Sequence, residues 1–122
     1  MNQQAVSTIL VSRPGIMRQS LQTSLSIYSW ITVVAVCGDG LTALSQVTQQ
    51  RPHLVLIDAN LLEEEVNALL TAIKAEQPTT CCLVLAQSVQ REQSTLAAGA
   101  DAVIQREGWV QQAPAILAQL FQ

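Results

Sequence analysis

Short apolar runs alternate along the chain with longer stretches in which apolar residues return every three or four positions. The runs are Thr8–Val11, Ile31–Val36, Leu54–Ile57, Cys82–Leu85 and Ala102–Ile104. Most are rich in β-branched residues and lack polar alternation, as strands covered on both faces of a parallel sheet do. Five helical stretches lie between and after them. Ile16, Met17, Leu21, Leu25 and Tyr28 carry the first; Leu41, Leu44 and Val47 carry the second, with Asp39 as its cap. Leu62, Val66, Leu69, Leu70 and Ile73 give the third an i, i+3, i+4 stripe that must end before Pro78. A weaker fourth helix covers Gln90–Ala98 and stops at Gly99, a natural C-terminal cap. The fifth holds Ile116, Leu117, Leu120 and Phe121. Pro114 suits only a first turn, so a helix starting near Val110 is expected to kink.

Five strand–helix units in order predict an α/β protein with a doubly wound sheet, because parallel strands need crossover connections. Right-handed crossovers leave few topologies. No repeat, linker or low-complexity stretch divides residues 1–122, so one domain is expected. With 49% hydrophobic and only 12% charged residues, the chain has ample material for a core; at 3% aromatic, that core must be aliphatic. A net charge of −3 offers no basic field for nucleic acid. No apolar run approaches the roughly 20 residues of a membrane span, and the opening MNQQAVS lacks the features of a signal peptide. Cys37, Cys81 and Cys82 have no zinc-like spacing and fall in or beside strand-like runs, as reduced core thiols of a cytoplasmic protein would.

Ligands of such sheets bind beyond the C-terminal strand ends, where the strand order reverses. That places Ser12-Arg13, Gly38-Asp39, Asp58-Ala-Asn60, Ala86-Gln87-Ser88 and Arg106-Glu107 around any site. One reading is a nucleotide or dinucleotide site: Gly38-Asp-Gly40-Leu-Thr-Ala43 follows a strand and fits G-x-G-x-x-A, and Asp58 lies about 20 positions on. The pattern follows the second strand rather than the first, and a helix-opening turn explains it equally. His53, the only histidine, precedes a strand and is expected at the surface; no motif brings it to a Ser or Cys nucleophile, so an enzyme is not expected.

Four segments carry a family resemblance. Ile9-Leu-Val-Ser-Arg-Pro-Gly-Ile-Met-Arg18 resembles the I-L-I-V-D-D-H-P-x-x-R opening of response-regulator receivers, nearest to the nitrate-regulator type. Asp39-Gly-Leu-Thr-Ala-Leu44 resembles their D/N-G-x-x-A-L. Arg51-Pro-His-Leu-Val-Leu-Ile-Asp58 resembles R-P-D-V-V-L-L-D, which ends in the phosphoacceptor, and Ala97-Ala-Gly-Ala-Asp101 resembles A-A-G-A-D. The resemblance runs in order over nearly the whole chain. It implies a flavodoxin-like five-stranded sheet of order 2-1-3-4-5 with five helices, and work in two-component phosphorelay signalling with a histidine kinase or output protein as partner.

The acidic site is degenerate against that pattern. Two acidic metal-binding places are Ser12 and Arg13, the phosphoryl-binding Thr or Ser is Ala86, the aromatic switch is Val103 and the lysine is Arg106. Asp58 remains, with Asn60 where a backbone carbonyl meets the metal. Mg²⁺ wants several hard oxygens in a near-octahedral shell, so weak binding at most is expected, and no other cofactor. Arg13 or Arg106 should neutralise Asp58 in place of the metal. Glu63, Glu64 and Glu65 read as a solvated first helical turn. The resemblance implies an atypical receiver with impaired phosphorylation that works by protein contacts. It also points to a two-fold dimer over the first and fifth helices through Ile16, Leu25, Trp109, Ile116 and Phe121. A conventional receiver phosphorylated on Asp58 is the alternative within the family.

Overall fold

The computed structural model describes residues 5–58 and 60–121. Strands β1 (Val6–Val11), β2 (Ile31–Cys37), β3 (Leu54–Ile57), β4 (Cys81–Ala86) and β5 (Ala102–Gln105) alternate with helices α1 (Ile16–Ser26), α2 (Gly40–Gln50), α3 (Glu63–Glu76), α4 (Gln90–Ala98) and α5 (Trp109–Phe121). All strands pair in parallel, in the order β2-β1-β3-β4-β5. This is the expected flavodoxin-like arrangement, with the order reversing between β1 and β3.

The pleat sorts the apolar runs between two cores. Ile9, Val11, Val55, Ile57, Cys82 and Val84 face α2 and α3, while Leu10, Leu54, Leu56, Leu83, Leu85 and Ile104 face α1 and α5. The inner strands are therefore apolar on both sides, and each fully buried Leu or Ile contributes roughly 1.5–3 kcal/mol. β2 lies at an edge and is only half covered, which is why its buried positions are interrupted. At the turn after α4, Gly99 has φ of 125°, and a Cβ there would meet Lys74 Cγ at 2.9 Å. Only glycine fits both demands.

Helix starts differ from expectation in two respects. α5 begins at Trp109, after a 3-10 turn over Arg106–Gly108, and carries Pro114 inside it. Trp109, Ala113 and Leu117 form its buried stripe, and the Trp109 indole donates to Ser24 Oγ on α1 at 3.0 Å. That burial outweighs the single backbone bond Pro114 removes, and Pro114 itself lies on the exposed side. Leu41 and Leu62, assigned above to apolar stripes, are exposed instead, because they stand at the helix openings before the stripe turns inward.

Candidate functional site

The site forms where β1 and β3 end side by side. Ser12 N donates to Cys37 O and Asp58 N to Val11 O, both at 2.8 Å, so the ladders run one residue past the strands and aim both side chains into the same corner. Ser12 and Asp58 are both fully buried. Ser12 Oγ donates to Asp58 Oδ2 at 2.9 Å, and Arg106 Nη2, from the turn after β5, reaches the same oxygen at 3.2 Å. The expectation that an arginine neutralises Asp58 is met by Arg106.

Arg13 goes elsewhere. Its Nε donates to the backbone carbonyl of Asn60 at 2.9 Å, its backbone N–H to Asn60 Oδ1 at 3.1 Å, and its Nη2 lies 3.6 Å from Glu65 Oε1. Asn60 Nδ2 in turn donates to Ser12 Oγ at 3.2 Å. A guanidinium thus occupies the carbonyl that the receiver pattern offers to Mg²⁺, and a second guanidinium and a hydroxyl hold the remaining carboxylate. A buried carboxylate already paired with Arg106 does not fit a dication that needs several oxygens and parts reluctantly with water. Among the described residues no three Asp, Glu, His or Cys side chains converge on a metal position.

At the end of β4, Ala86 is buried beside Gln105 of β5. A cavity of about 20 Å³ lies among Asp58, Ala86, Gln87 and Arg91, room for one water. Val103 sits on β5 opposite Val84 and packs against the α2–α3 core as an ordinary half-buried aliphatic. It offers no ring to swing between two positions.

Two participants escaped the sequence reading. Glu65, expected to be solvated, places Oε2 2.8 Å from Gly40 N while Oε1 faces Arg13, so it ties the openings of α2 and α3 to the β1–α1 loop. Arg18 folds back from α1 and gives Nε and Nη2 to Ser12 O at 2.8 and 2.5 Å. A long side chain at i+6 from a loop carbonyl has no periodic signature. Glu63 behaves more as expected, with only Arg91 at 3.7 Å.

The dinucleotide reading of Gly38, Gly40 and Asp58 loses its donors. The Gly40 amide is taken by Glu65, and Asp39 caps α2 by accepting from Thr42 N at 2.8 Å. That bond holds the Asp39 carboxyl below its ordinary range. A phosphate at this helix start would meet two carboxylates. β1 also separates β2, which leads into Gly38, from β3, which leads into Asp58.

Of the proposed contact residues, Leu25 and Trp109 are buried and drop out of any surface, because both belong to the α1–α5 core. Ile16 is 81% exposed, and Ile116 and Phe121 are half-buried. Phe121 tilts against Trp30, which meets Tyr28 edge-on. His53 is exposed and its Nδ1 accepts from Ser7 N at 3.1 Å, away from the site. Of the thiols, Cys37 and Cys82 are buried and Cys81 half-buried. Burial pushes Cys82 up to about 12.

The family model of the response regulator receiver domain matches residues 9–112. The protein-glutamate methylesterase/protein-glutamine glutaminase 2 of Hahella chejuensis (strain KCTC 2396) is 28% identical over 102 residues, 81% of this chain and 28% of that protein. This chain therefore spans little more than a quarter of that relative. The RcsB response regulator of Salmonella typhimurium superposes with a TM-score of 0.83 at 18% identity, over 97% of this chain and 60% of that one. The signal receiver domain of NarL from Mycobacterium tuberculosis gives 0.79 at 18% identity, over 97% and 98%. The response regulator domain of Thermotoga maritima CheB gives 0.76 at 20%, over 96% and 94%. The structural likeness is one of fold, and the matched family profile covers most of the sequence. The chain belongs to the response regulator receiver domain family of two-component signalling.

Proposed function

We propose that this receiver signals without phosphorylation, as a cytoplasmic domain that presents one fixed set of protein-contact surfaces to a kinase, an output protein or a second copy. One observation carries the reading: the fully buried Asp58 carboxylate is held by Ser12 and Arg106, while Arg13 occupies the Asn60 carbonyl. Phosphoryl transfer to Asp58 would have to break the Arg106 pair without a metal to replace it. The incoming group would find the methyl of Ala86 where the family pattern supplies a hydroxyl. Mg²⁺ affinity is accordingly weak, and the domain acts by binding rather than by catalysis or nucleic-acid contact.

The second-copy surface is the α1–α5 side. Arg18 is the single charged residue of these two helices, and it is turned inward to Ser12. The centres of protein interfaces are depleted in charge in the same way. Ile16, Ile116 and Phe121 supply the apolar contacts of a two-fold dimer, in which one patch meets its own copy. Sedimentation at tens of micromolar should show a dimer that Phe121→Asp weakens and that acetyl phosphate with Mg²⁺ leaves unchanged. A monomer that dimerises only on adding acetyl phosphate would overturn the reading in favour of a conventional receiver.

A further inference from the structure

At the end of the sheet opposite Asp58, a side chain stands where a strand would offer a backbone acceptor. The pairing of β1 with β3 begins at Thr8 and Leu54, one residue beyond Ser7 and His53. Just before it, Arg51 turns into the left-handed region at φ of 47° and Pro52 follows, which stops β3 from reaching further back. The Ser7 N–H is met instead by the imidazole of His53, donating to Nδ1 at 3.1 Å. Ser7 Oγ lies 3.0 Å from the same nitrogen and accepts from His53 N at 3.2 Å. Two backbone bonds complete the node: His53 N donates to Ser7 O and Cys81 N to His53 O, both at 2.9 Å. His53, the only histidine of the chain, thus joins β1, β3 and β4.

An imidazole nitrogen accepts only while it carries no proton, so the bond from Ser7 N selects the neutral ring with its hydrogen on Nε2. A proton added at Nδ1 turns that acceptor into a donor. It can then be given to Ser7 Oγ, but the Ser7 N–H is left facing another N–H. Histidine is the side chain whose charge ordinarily changes between about pH 5 and 8. The receiver motif R-P-D-V-V-L-L-D has aspartate at this place, and a carboxylate stays an acceptor throughout that range.

The ring is exposed and open to protons from solvent. Arg51, from the same loop, and Glu76, at the end of α3, line the hollow beside it and oppose each other in sign. On β4, burial pushes the Cys81 thiol up, so it stays neutral, and the nearby Lys74 and Asp101 are bonded to each other. β1 carries no ionisable residue.

We propose that His53 is a pH-sensitive latch on the N-terminal end of β1, closed by the neutral imidazole and opened by its protonation. Opening leaves Ser7 tied to His53 through its oxygens and no longer through its amide. The neighbouring residue, Val6, holds the approach to the edge strand β2 by donating from N to Trp30 O at 2.7 Å, so the latch lies where β1 supports both of its neighbours. The inference does not depend on whether Asp58 accepts a phosphoryl group.

NMR of the whole 122-residue chain tests it. At about pH 8 the ring should be the Nε2–H tautomer, and as the pH falls towards 5 the Ser7 amide shift should follow the same midpoint as the ring. Exchange of the Ser7 amide with water, taken relative to the unstructured rate at each pH, should rise roughly twofold to tenfold, the weight of one exposed hydrogen bond. The His53 and Cys81 amides, bonded to backbone oxygens, should keep their protection. In His53→Asp the Ser7 amide should stay protected across this range, and in His53→Ala it should be unprotected throughout. Both substitutions are at an exposed position and leave the backbone bonds in place. An Nδ1–H tautomer at high pH, a Ser7 amide indifferent to ring protonation, or the same titration in His53→Asp would overturn the latch. Loss of protection at His53 and Cys81 together with Ser7 would overturn it as well, since the whole sheet end would then be loosening.

Discussion

A carboxylate is tied to a cation at both ends of this sheet, and the two ties are built differently. At the N-terminal end of β4, Asp101 Oδ2 accepts from Lys74 Nζ at 2.6 Å and from Cys82 N at 2.7 Å, while Lys74 also donates to Thr80 O. Backbone groups at the start of the strand take two of these three bonds, and both side chains remain partly in water. At the C-terminal end, Asp58 is wholly buried, and the side chains of Ser12 and Arg106 both reach its Oδ2. A tie made to backbone follows from the fold itself. A tie made between side chains can be rewritten by substitution without disturbing the fold. The same framework therefore carries a half-exposed pair anchored on backbone at one end and a buried carboxylate held by side chains at the other.

Removing a cation should separate the two ends most sharply. Arg106→Ala strands a buried carboxylate and is expected to cost roughly 2–3 kcal/mol, somewhat below the usual cost of breaking a buried pair because Arg106 is itself partly exposed. Pairing it with Asp58→Asn should recover most of that loss, since no charge is then left in the core. Urea unfolding of the single and double variants measures both. If Arg106→Ala is neutral, Asp58 does not depend on its arginine.

A smaller loss is expected at the other end. Asp101→Ala should cost about 1 kcal/mol, because Cys82 N and Lys74 lose a partner that water can partly replace. Thermal unfolding beside Arg106→Ala gives the ranking, and the reverse order would remove the distinction between the two ends.

The smallest effect involves a third carboxylate, at the site end but tied to backbone. Asp39 caps α2, and its bond from Thr42 N lowers its carboxyl pKa in the folded state. A depressed folded value means stability present above the unfolded carboxylate value, near pH 4, and lost as the pH falls through the lower folded value. Asp39→Asn keeps an acceptor but cannot titrate. The stability difference between the two proteins should be constant above about pH 5 and shrink below pH 4. A difference independent of pH would mean that the cap does not depend on the carboxylate's charge.

The strands and their covering were legible because apolar runs without alternation have few other uses, and the two cores take up the alternate residues of each run. Strand order came through the family motifs rather than through periodicity. Pro114 misled because local propensity cannot weigh the burial of Trp109 against one lost hydrogen bond. Leu25 and Trp109 were assigned to a surface because apolar periodicity does not distinguish a core face from a contact face. At the site, sequence identified which residues converge but not which arginine meets which oxygen. Arg13 and Asn60 lie 47 positions apart in the chain, Arg106 and Asp58 48. A long, flexible side chain among several acceptors chooses its partner by loop geometry that no spacing records. The dual role of Glu65 was hidden for the same reason.

On the proposed reading, the groups that hold Asp58 withdraw it from phosphoryl chemistry. Intact-mass analysis after incubation with acetyl phosphate and Mg²⁺ tests this most directly, run beside a variant carrying Ser12→Asp, Arg13→Asp, Ala86→Thr and Arg106→Lys. No phosphoryl adduct is predicted on the natural chain, with an Asp58 adduct appearing only in the variant. Stoichiometric labelling of Asp58 in the natural chain would instead make it a conventional, phosphorylated receiver.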